Sequence, residues 1–134
     1  MKAFIDAPLL IYLNTMSNPR ARMPYEDFYI RSLIDYKLYI DVLVLDEVIY
    51  ISRRKYGIPY HVSSKFIESI VLPYVSIITL GEDEYEQATR ILVEYNLKPS
   101  DSLHLGAMLS NSINLIISED KEFDRVKEVK RLWI

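Results

Sequence analysis

Short runs of apolar, β-branched residues alternate along this chain with longer segments in which apolar residues recur at helical spacing. The short runs predict five strands, at 2–5, 39–44, 75–80, 114–117 and 129–133. The longer segments predict a helix through LLIYLN with Pro8 in its first turn, then helices at 25–37, 45–56, 59–72, 82–95, 101–111 and 121–127. Residues 14–24 contain Pro19 and Pro24 and are predicted as a loop.

Individual residues mark where several of these helices begin or end. Gly57 ends the 45–56 helix, and Asn96 is predicted to adopt a left-handed conformation after the 82–95 helix. Ser100 is predicted to cap the N-terminus of the helix that begins at Asp101. The alternation of strands and helices predicts an α/β fold, a three-layer sandwich around a mainly parallel sheet with right-handed crossovers. The chain shows neither repeat nor linker, which predicts a single domain over 1–134.

Composition narrows the possible classes of protein. Half of the 134 residues are apolar, enough for a sizeable core, and the absence of cysteine excludes disulfide frameworks and thiolate zinc sites. No apolar run reaches the roughly 18 residues of a membrane span. The charged residue Asp6 occurs before a hydrophobic segment of signal-peptide length could form. We therefore expect a soluble, cytoplasmic protein. Sixteen basic and 19 acidic residues give a net charge of −3, so nucleic acid cannot be held by overall positive charge.

The placement of four acids is more informative than their number. Asp6 directly follows one predicted strand and Asp120 follows another, while Glu47 and Asp101 lie in the first turns of predicted helices. In an open parallel sheet, the carboxyl ends of the strands and the helix N-termini gather around one crevice. Four carboxylates from four segments are therefore expected to converge, although each alone is more often a turn residue or a helix cap.

Converging carboxylates repel one another and raise each other's pKa unless a cation compensates them. Hard divalent cations with oxygen ligands, Mg²⁺ or Mn²⁺, are the usual compensation. Such an ion lowers the pKa of a bound water and stabilises charge during in-line attack on phosphorus. Spacing alone does not define the reaction.

Four segments resemble, in order, the signature segments of the PIN domain family, with the closest likeness to VapC toxins: FIDAPLLIYL, LVLDEVIYI, PSDSLHLGAML and NLIISEDKEFDRV. The resemblance implies a five-stranded parallel sheet in the order 3-2-1-4-5 and a catalytic, metal-binding quartet formed by Asp6, Glu47, Asp101 and Asp120. Asp124 matches a further acid of the same cleft. The implied activity is Mg²⁺- or Mn²⁺-dependent hydrolysis of RNA, leaving a 5′-phosphate and a 3′-hydroxyl. An antitoxin partner and a homodimer are also implied.

Two features depart from the family pattern. Ala7 and Pro8 follow the first acid where the family usually carries Thr or Ser and then a small polar residue, so a hydroxyl near Asp6 is missing. Asp46 beside Glu47 leaves open a helix cap or a register shifted by one residue. A degenerate module of the same fold that binds RNA or protein without catalysis is therefore an alternative. A small phosphohydrolase that uses the same carboxylates is a third.

Neighbouring residues suggest supporting roles. His104 shares a helix face with Asp101, but a hard cation does not require it, so it is predicted to pack or to act around the site. Ser118 is predicted to orient Asp120 or a phosphate. Lys121 and Arg125, with Arg20 and Arg22 of the predicted loop, are candidates for contact with RNA phosphates.

Overall fold

In the computed structural model, which describes residues 1–134, the short apolar runs pair as a five-stranded parallel sheet. The order across the sheet is β3-β2-β1-β4-β5. The predicted sheet and its order are therefore confirmed. The strands are β1 (Lys2–Ile5), β2 (Lys37–Ile40), β3 (Ser76–Ile77), β4 (Leu115–Ile117) and β5 (Lys130–Leu132).

Six α-helices connect the strands: α1 (Ala7–Thr15), α2 (Pro19–Asp35), α3 (Val42–Tyr56), α4 (Tyr60–Phe66), α5 (Glu82–Tyr95) and α6 (Pro99–Ser110). A π-helical turn (Ile67–Val71) extends α4, and a 3₁₀ turn (Lys121–Arg125) follows β4. Asn96 adopts the predicted left-handed conformation after α5, with φ 53°, and Gly57, which ends α3 as predicted, has φ 70°. None of the helices has the length and apolar character that crossing a membrane requires.

In the two central strands, β1 and β4, consecutive residues are buried, and buried and exposed residues do not alternate. Ala3, Phe4 and Ile5 of β1 are each fully buried, and all three residues of β4 are buried as well. Successive side chains of a strand point to opposite faces of the sheet, so both faces are covered. A core of 28 buried hydrophobic residues surrounds these strands.

Chain order reverses between β1 and β4, and this point defines the candidate crevice. Strands β2 and β3 lie on one side of β1, and β4 and β5 lie on the other. The Asp6 amide donates to the Ile117 carbonyl at 3.0 Å, so the two strands end side by side. Ligands of open parallel sheets bind beyond the carboxyl ends of the strands at such a reversal.

The predicted loop at 14–24 is wrong over its second half, because α2 begins at Pro19. The Asn18 side chain accepts hydrogen bonds from the amides of Arg20 and Ala21 and caps the helix. Proline is well tolerated at the first helical position. Pro24 lies inside α2 on its exposed side and cannot donate the backbone hydrogen bond of that turn.

Other predicted boundaries were wrong by a few residues. The strand predicted at 39–44 ends at Ile40, because the Asp41 side chain accepts from the Val44 amide at 3.1 Å and caps α3. The strand predicted at 75–80 pairs only over Ser76–Ile77 at the edge of the sheet, where it has one neighbour. Lys98, not Ser100, is the N-cap residue of α6, which starts at Pro99.

Candidate metal centre

Asp6 is fixed at the end of β1 by two hydrogen bonds. Its Oδ1 accepts from the Ala7 amide at 3.0 Å, and this bond caps the N-terminus of α1. Its Oδ2 accepts from the Ser118 hydroxyl at 2.7 Å. Asp6 is 4% exposed. The Asp6 carboxylate is thus oriented by a hydroxyl from the end of β4.

Three side chains from three elements meet at this point. A carboxylate oxygen of Asp6, a carboxylate oxygen of Glu47 in α3 and a ring nitrogen of His104 in α6 all lie within 4.8 Å of one another. Both Asp46 and Glu47 are exposed, but only Glu47 belongs to this group. The crevice therefore contains a carboxylate pair with an imidazole beside it.

Asp101 and Asp120 border this group. Asp101 lies in the first turn of α6, and its charge raises the pKa of Glu47. Asp120 follows β4, where its amide donates to Ser118 Oγ at 3.0 Å and its Oδ1 accepts from the Glu122 amide at 2.9 Å. The charge of Asp120 raises the pKa of Asp6. The charges of both acids therefore act on the carboxylates of the crevice, although neither acid belongs to the group of three.

The carboxylates of the crevice are poorly compensated. Burial first, and then the charge of Asp6, raises the pKa of Asp101 to about 6. The same two causes, in the same order, raise the pKa of Glu47, and burial raises that of Asp6. Lys98 and His104 offset only part of this repulsion at Glu47 and Asp101. A bound cation would stabilise all of these carboxylates in their charged form.

We expect the pKa of Asp101 to make the metal-free protein less stable as the pH rises from about 4 to about 7. Between the ordinary value of 3.8 and the folded value of about 6, the folded chain holds the proton more tightly than the unfolded chain. The stabilisation at low pH is therefore lost on deprotonation. Urea unfolding in EDTA, with Asp101→Asn as reference, should show the wild type losing about 1–2 kcal/mol relative to the variant. A pH-independent difference would contradict this assignment.

Asp124 and Ser118 lie beside the group of three and make contacts of different kinds. Asp124 is exposed and accepts two hydrogen bonds from Arg131, at 2.9 and 3.1 Å, which lower its pKa and hold it outside the group. Ser118 is fully buried, and its hydroxyl is shared by Asp6 and the Asp120 amide. Of its two predicted roles, orienting Asp120 or contacting a phosphate, these contacts favour the first.

The basic side chains that were predicted to contact RNA differ in whether they are engaged in other contacts. Arg125 donates to Glu122 and to the carbonyl of Tyr95, and Arg22 is paired with Glu26, so these two are engaged elsewhere. Lys121 is exposed and lines a groove of about 520 Å³ with Glu119, Arg131 and Trp133. Lys121 keeps its predicted role as a candidate phosphate contact.

Sequence reasoning missed Asp41. Its Oδ2 lies 2.6 Å from Nδ1 of His104, and both residues are almost completely buried. The signal was available: like Asp6, Asp41 is an acid at the junction between an apolar strand and an apolar helix. Placing it inside a predicted strand concealed it.

The PIN domain model matches residues 3–129, and the chain belongs to the PIN domain family. A search of curated proteins finds no match. The toxin VapC20 of Mycobacterium tuberculosis, which cleaves the sarcin-ricin loop, superposes with a TM-score of 0.74 at 16% identity, covering 93% of this chain and 95% of that one.

Two toxin–antitoxin assemblies are similar as well. VapBC2 of Rickettsia felis, bound to a DNA fragment from its promoter, gives a TM-score of 0.76 at 14% identity and covers 100% of this chain and 99% of that one. A toxin–antitoxin complex of Klebsiella pneumoniae gives 0.68 at 21% identity, covering 96% and 95%. At these identities the likeness establishes the shared fold, and VapC structures are among those that have it.

Proposed function

We propose that this protein is a metal-dependent endoribonuclease and the toxin of a toxin–antitoxin pair. The observation that carries the proposal is the convergence of Asp6 and Glu47, with Asp101 and Asp120 beside them, at the reversal point of a PIN sheet. The structural similarity to a VapC toxin that cleaves RNA supports the choice of substrate.

The residues of the crevice suit a hard divalent cation, Mg²⁺ or Mn²⁺. The carboxylate oxygens are the donors such ions prefer, and a cation would stabilise their charged form, since burial and mutual repulsion raise their pKa values. Asp6, Glu47 and Asp101 would hold the ion, with Asp120 assisting directly or through water. Asp124, paired with Arg131, is left out of this set.

A bound cation supplies Lewis acidity for the attacking water and for a phosphate oxygen. The protein's own contribution is placement. Ser118 fixes Asp6 and the backbone of Asp120, so two of the acids are oriented before any ligand arrives. Lys121 is positioned to contact a neighbouring phosphate of the RNA. Attack of water on phosphorus with cleavage of the P–O3′ bond leaves a 5′-phosphate and a 3′-hydroxyl.

Incubation of a labelled, structured RNA with the protein in Mn²⁺, in Mg²⁺ and in EDTA tests this proposal. Cleavage is expected with either ion and not in EDTA, and end analysis should find 5′-phosphates. Cleavage that persists in EDTA would contradict the role of metal. Turnover of a small phosphomonoester in place of RNA would instead indicate a phosphatase.

An alternative is a non-catalytic RNA- or protein-binding module of the same fold, which the Ala7 and Pro8 departure favours. The Ser118 hydrogen bond to Asp6 weakens it, because Asp6 is oriented by a hydroxyl although position 7 supplies none. The two candidates differ in one result: the module would bind RNA in EDTA and leave it uncut in Mn²⁺.

The proposed toxin would be blocked by a cognate antitoxin and would form a homodimer on its apolar helix faces. The structural similarity to VapBC assemblies supports the first partner. Exposed apolar side chains on α2, such as Ile30 and Ile34, supply surface for protein contacts. Light scattering at micromolar concentration distinguishes a dimer from a monomer.

A further inference from the structure

His104 is the most deeply buried member of the crevice. It is 1% exposed, and its imidazole packs against the ring of Phe4 with 5.4 Å between ring centroids. Its Nδ1 is hydrogen-bonded to Asp41, whereas its Nε2 has no hydrogen-bond partner and lies 3.9 Å from Oδ1 of Asp6. A polar nitrogen at the bottom of the site thus faces the carboxylates without a bond of its own.

Asp41 determines which nitrogen is free. Its Oδ1 accepts from the Val44 amide and its Oδ2 lies 2.6 Å from His104 Nδ1, so one carboxylate joins the start of α3 to the imidazole. This bond occupies Nδ1 and leaves Nε2 as the nitrogen that can bind a ligand. Nε2 faces the crevice, 3.9 Å from Oδ1 of Asp6, and would give up its proton to a bound cation. A carboxylate on the far nitrogen is the usual support of a metal-binding histidine.

We infer that His104 is a metal ligand through Nε2 and that Asp41 is its positioning residue, so that this site binds its cation with one nitrogen among carboxylate oxygens. The inference deepens the proposed nuclease function, because the ion is the one assigned to the same crevice. A hard cation needs only oxygen ligands, and the sequence therefore predicted a packing role for His104; the free nitrogen, seen only in the fold, changes this.

The distances allow one ion to contact all three side chains. Ligand atoms at about 2.0–2.2 Å from one octahedral cation lie about 3 Å apart when adjacent and at most about 4.4 Å apart when opposite. The donor atoms of Asp6, Glu47 and His104 lie within 4.8 Å of one another, and the Asp6 and His104 atoms, at 3.9 Å, are close to the opposite arrangement. Glu47 would then move toward both by up to about 2 Å to complete the coordination. Glu47 is the exposed member and can move at least cost.

A nitrogen ligand changes which cation the site prefers. Imidazole favours the first-row transition metals over Mg²⁺, which prefers oxygen ligands throughout. We expect the wild-type protein to bind Mn²⁺ at least about tenfold more tightly than Mg²⁺. Removing the imidazole should weaken Mn²⁺ binding by about tenfold or more and Mg²⁺ binding by less than about threefold.

Pulsed electron paramagnetic resonance of Mn²⁺ bound to the full-length chain tests the inference directly. A ¹⁴N coupling of a directly coordinated imidazole is expected in the wild type. His104→Gln should lose this coupling. The matched control is His61→Gln, which alters the only other histidine, an exposed residue of α4, and should keep it.

The variant Asp41→Asn tests whether Asp41 positions His104 for metal binding or only contributes to packing. Asparagine caps helices as well as aspartate does, so α3 should persist. Its single carbonyl oxygen, however, cannot accept from both Val44 and His104. With the amide group facing Nδ1, the proton moves to Nε2 and blocks coordination. We expect a loss of the ¹⁴N coupling and about 10–100-fold weaker Mn²⁺ binding, with circular dichroism unchanged.

Absence of the ¹⁴N coupling in the wild type, or failure to bind Mn²⁺ at millimolar concentration, overturns the inference. Persistence of the coupling in His104→Gln does so too. The RNA assay separates this outcome from failure of the proposed function. If RNA is cleaved but the bound Mn²⁺ has no nitrogen ligand, only the assignment of His104 as a ligand is refuted. If Mn²⁺ has a nitrogen ligand but RNA is not cleaved, only the proposed nuclease function is refuted.

Discussion

Replacement of Asp101 by Asn is expected to reduce RNA cleavage by at least about 100-fold while leaving the fold intact. The substitution removes a negative charge from the cation site and retains the shape of the side chain. No hydrogen bond of the folded protein ends on the Asp101 carboxylate, and Asp101 is repelled by both Asp6 and Asp120. The variant should therefore be at least as stable as the wild type without metal.

The measurement is the initial rate of RNA cleavage in saturating Mn²⁺, together with thermal melting in EDTA. Asp46→Asn is the matched control, since it makes the same chemical change at an exposed acid outside the group, and it should cleave at the wild-type rate. Wild-type cleavage by Asp101→Asn would refute the role of this carboxylate. Loss of activity in Asp46→Asn instead would show that the register at Glu47 is shifted by one residue.

Replacement of Gly106 by Ala is expected to destabilise the protein by about 3 kcal/mol or more. A Cβ at this position would lie 2.3 Å from the Glu84 carbonyl oxygen, 2.8 Å from the Ala88 amide nitrogen and 2.9 Å from the Ala88 Cβ. These atoms belong largely to the backbone of α5, so helices α5 and α6 would have to separate. The higher helix propensity of alanine contributes only about 1 kcal/mol in return.

Urea unfolding monitored by circular dichroism measures this effect. Gly81→Ala is the control, because its nearest neighbour would be an ordinary contact at 3.7 Å and its backbone conformation is extended. We expect the control to change the free energy of unfolding by less than about 1 kcal/mol. Equal midpoints for Gly106→Ala and the wild type would show that α5 and α6 can shift without cost. Helix α6 carries both Asp101 and His104, so such a shift would also disturb the cation site.

Much of the fold could be predicted because the relevant signals are local. Helix α5 spans Glu82–Tyr95 as predicted, since acidic residues begin it and Asn96 ends it in a left-handed conformation. The strand ends were less predictable. From Leu38 to Leu45 the chain is apolar except for Asp41, and periodicity cannot show where such a run changes from strand to helix. Only the hydrogen bond from the Val44 amide to Asp41 sets that boundary.

The same division applies to the candidate site. The sequence by itself determined that Asp6 and Asp120 follow buried strands and that Asp101 lies in the first turn of a helix, because these relations involve adjacent residues. The predicted first-turn position of Glu47 was wrong, because α3 begins at Val42. Which side chains meet across the chain was decided only by the tertiary structure. Asp41 binds His104, 63 positions away, Ser118 reaches back 112 positions to Asp6, and Arg131 holds Asp124 outside the group. Such pairings depend on the paths of separate elements, and hydrophobic periodicity contains no information about them.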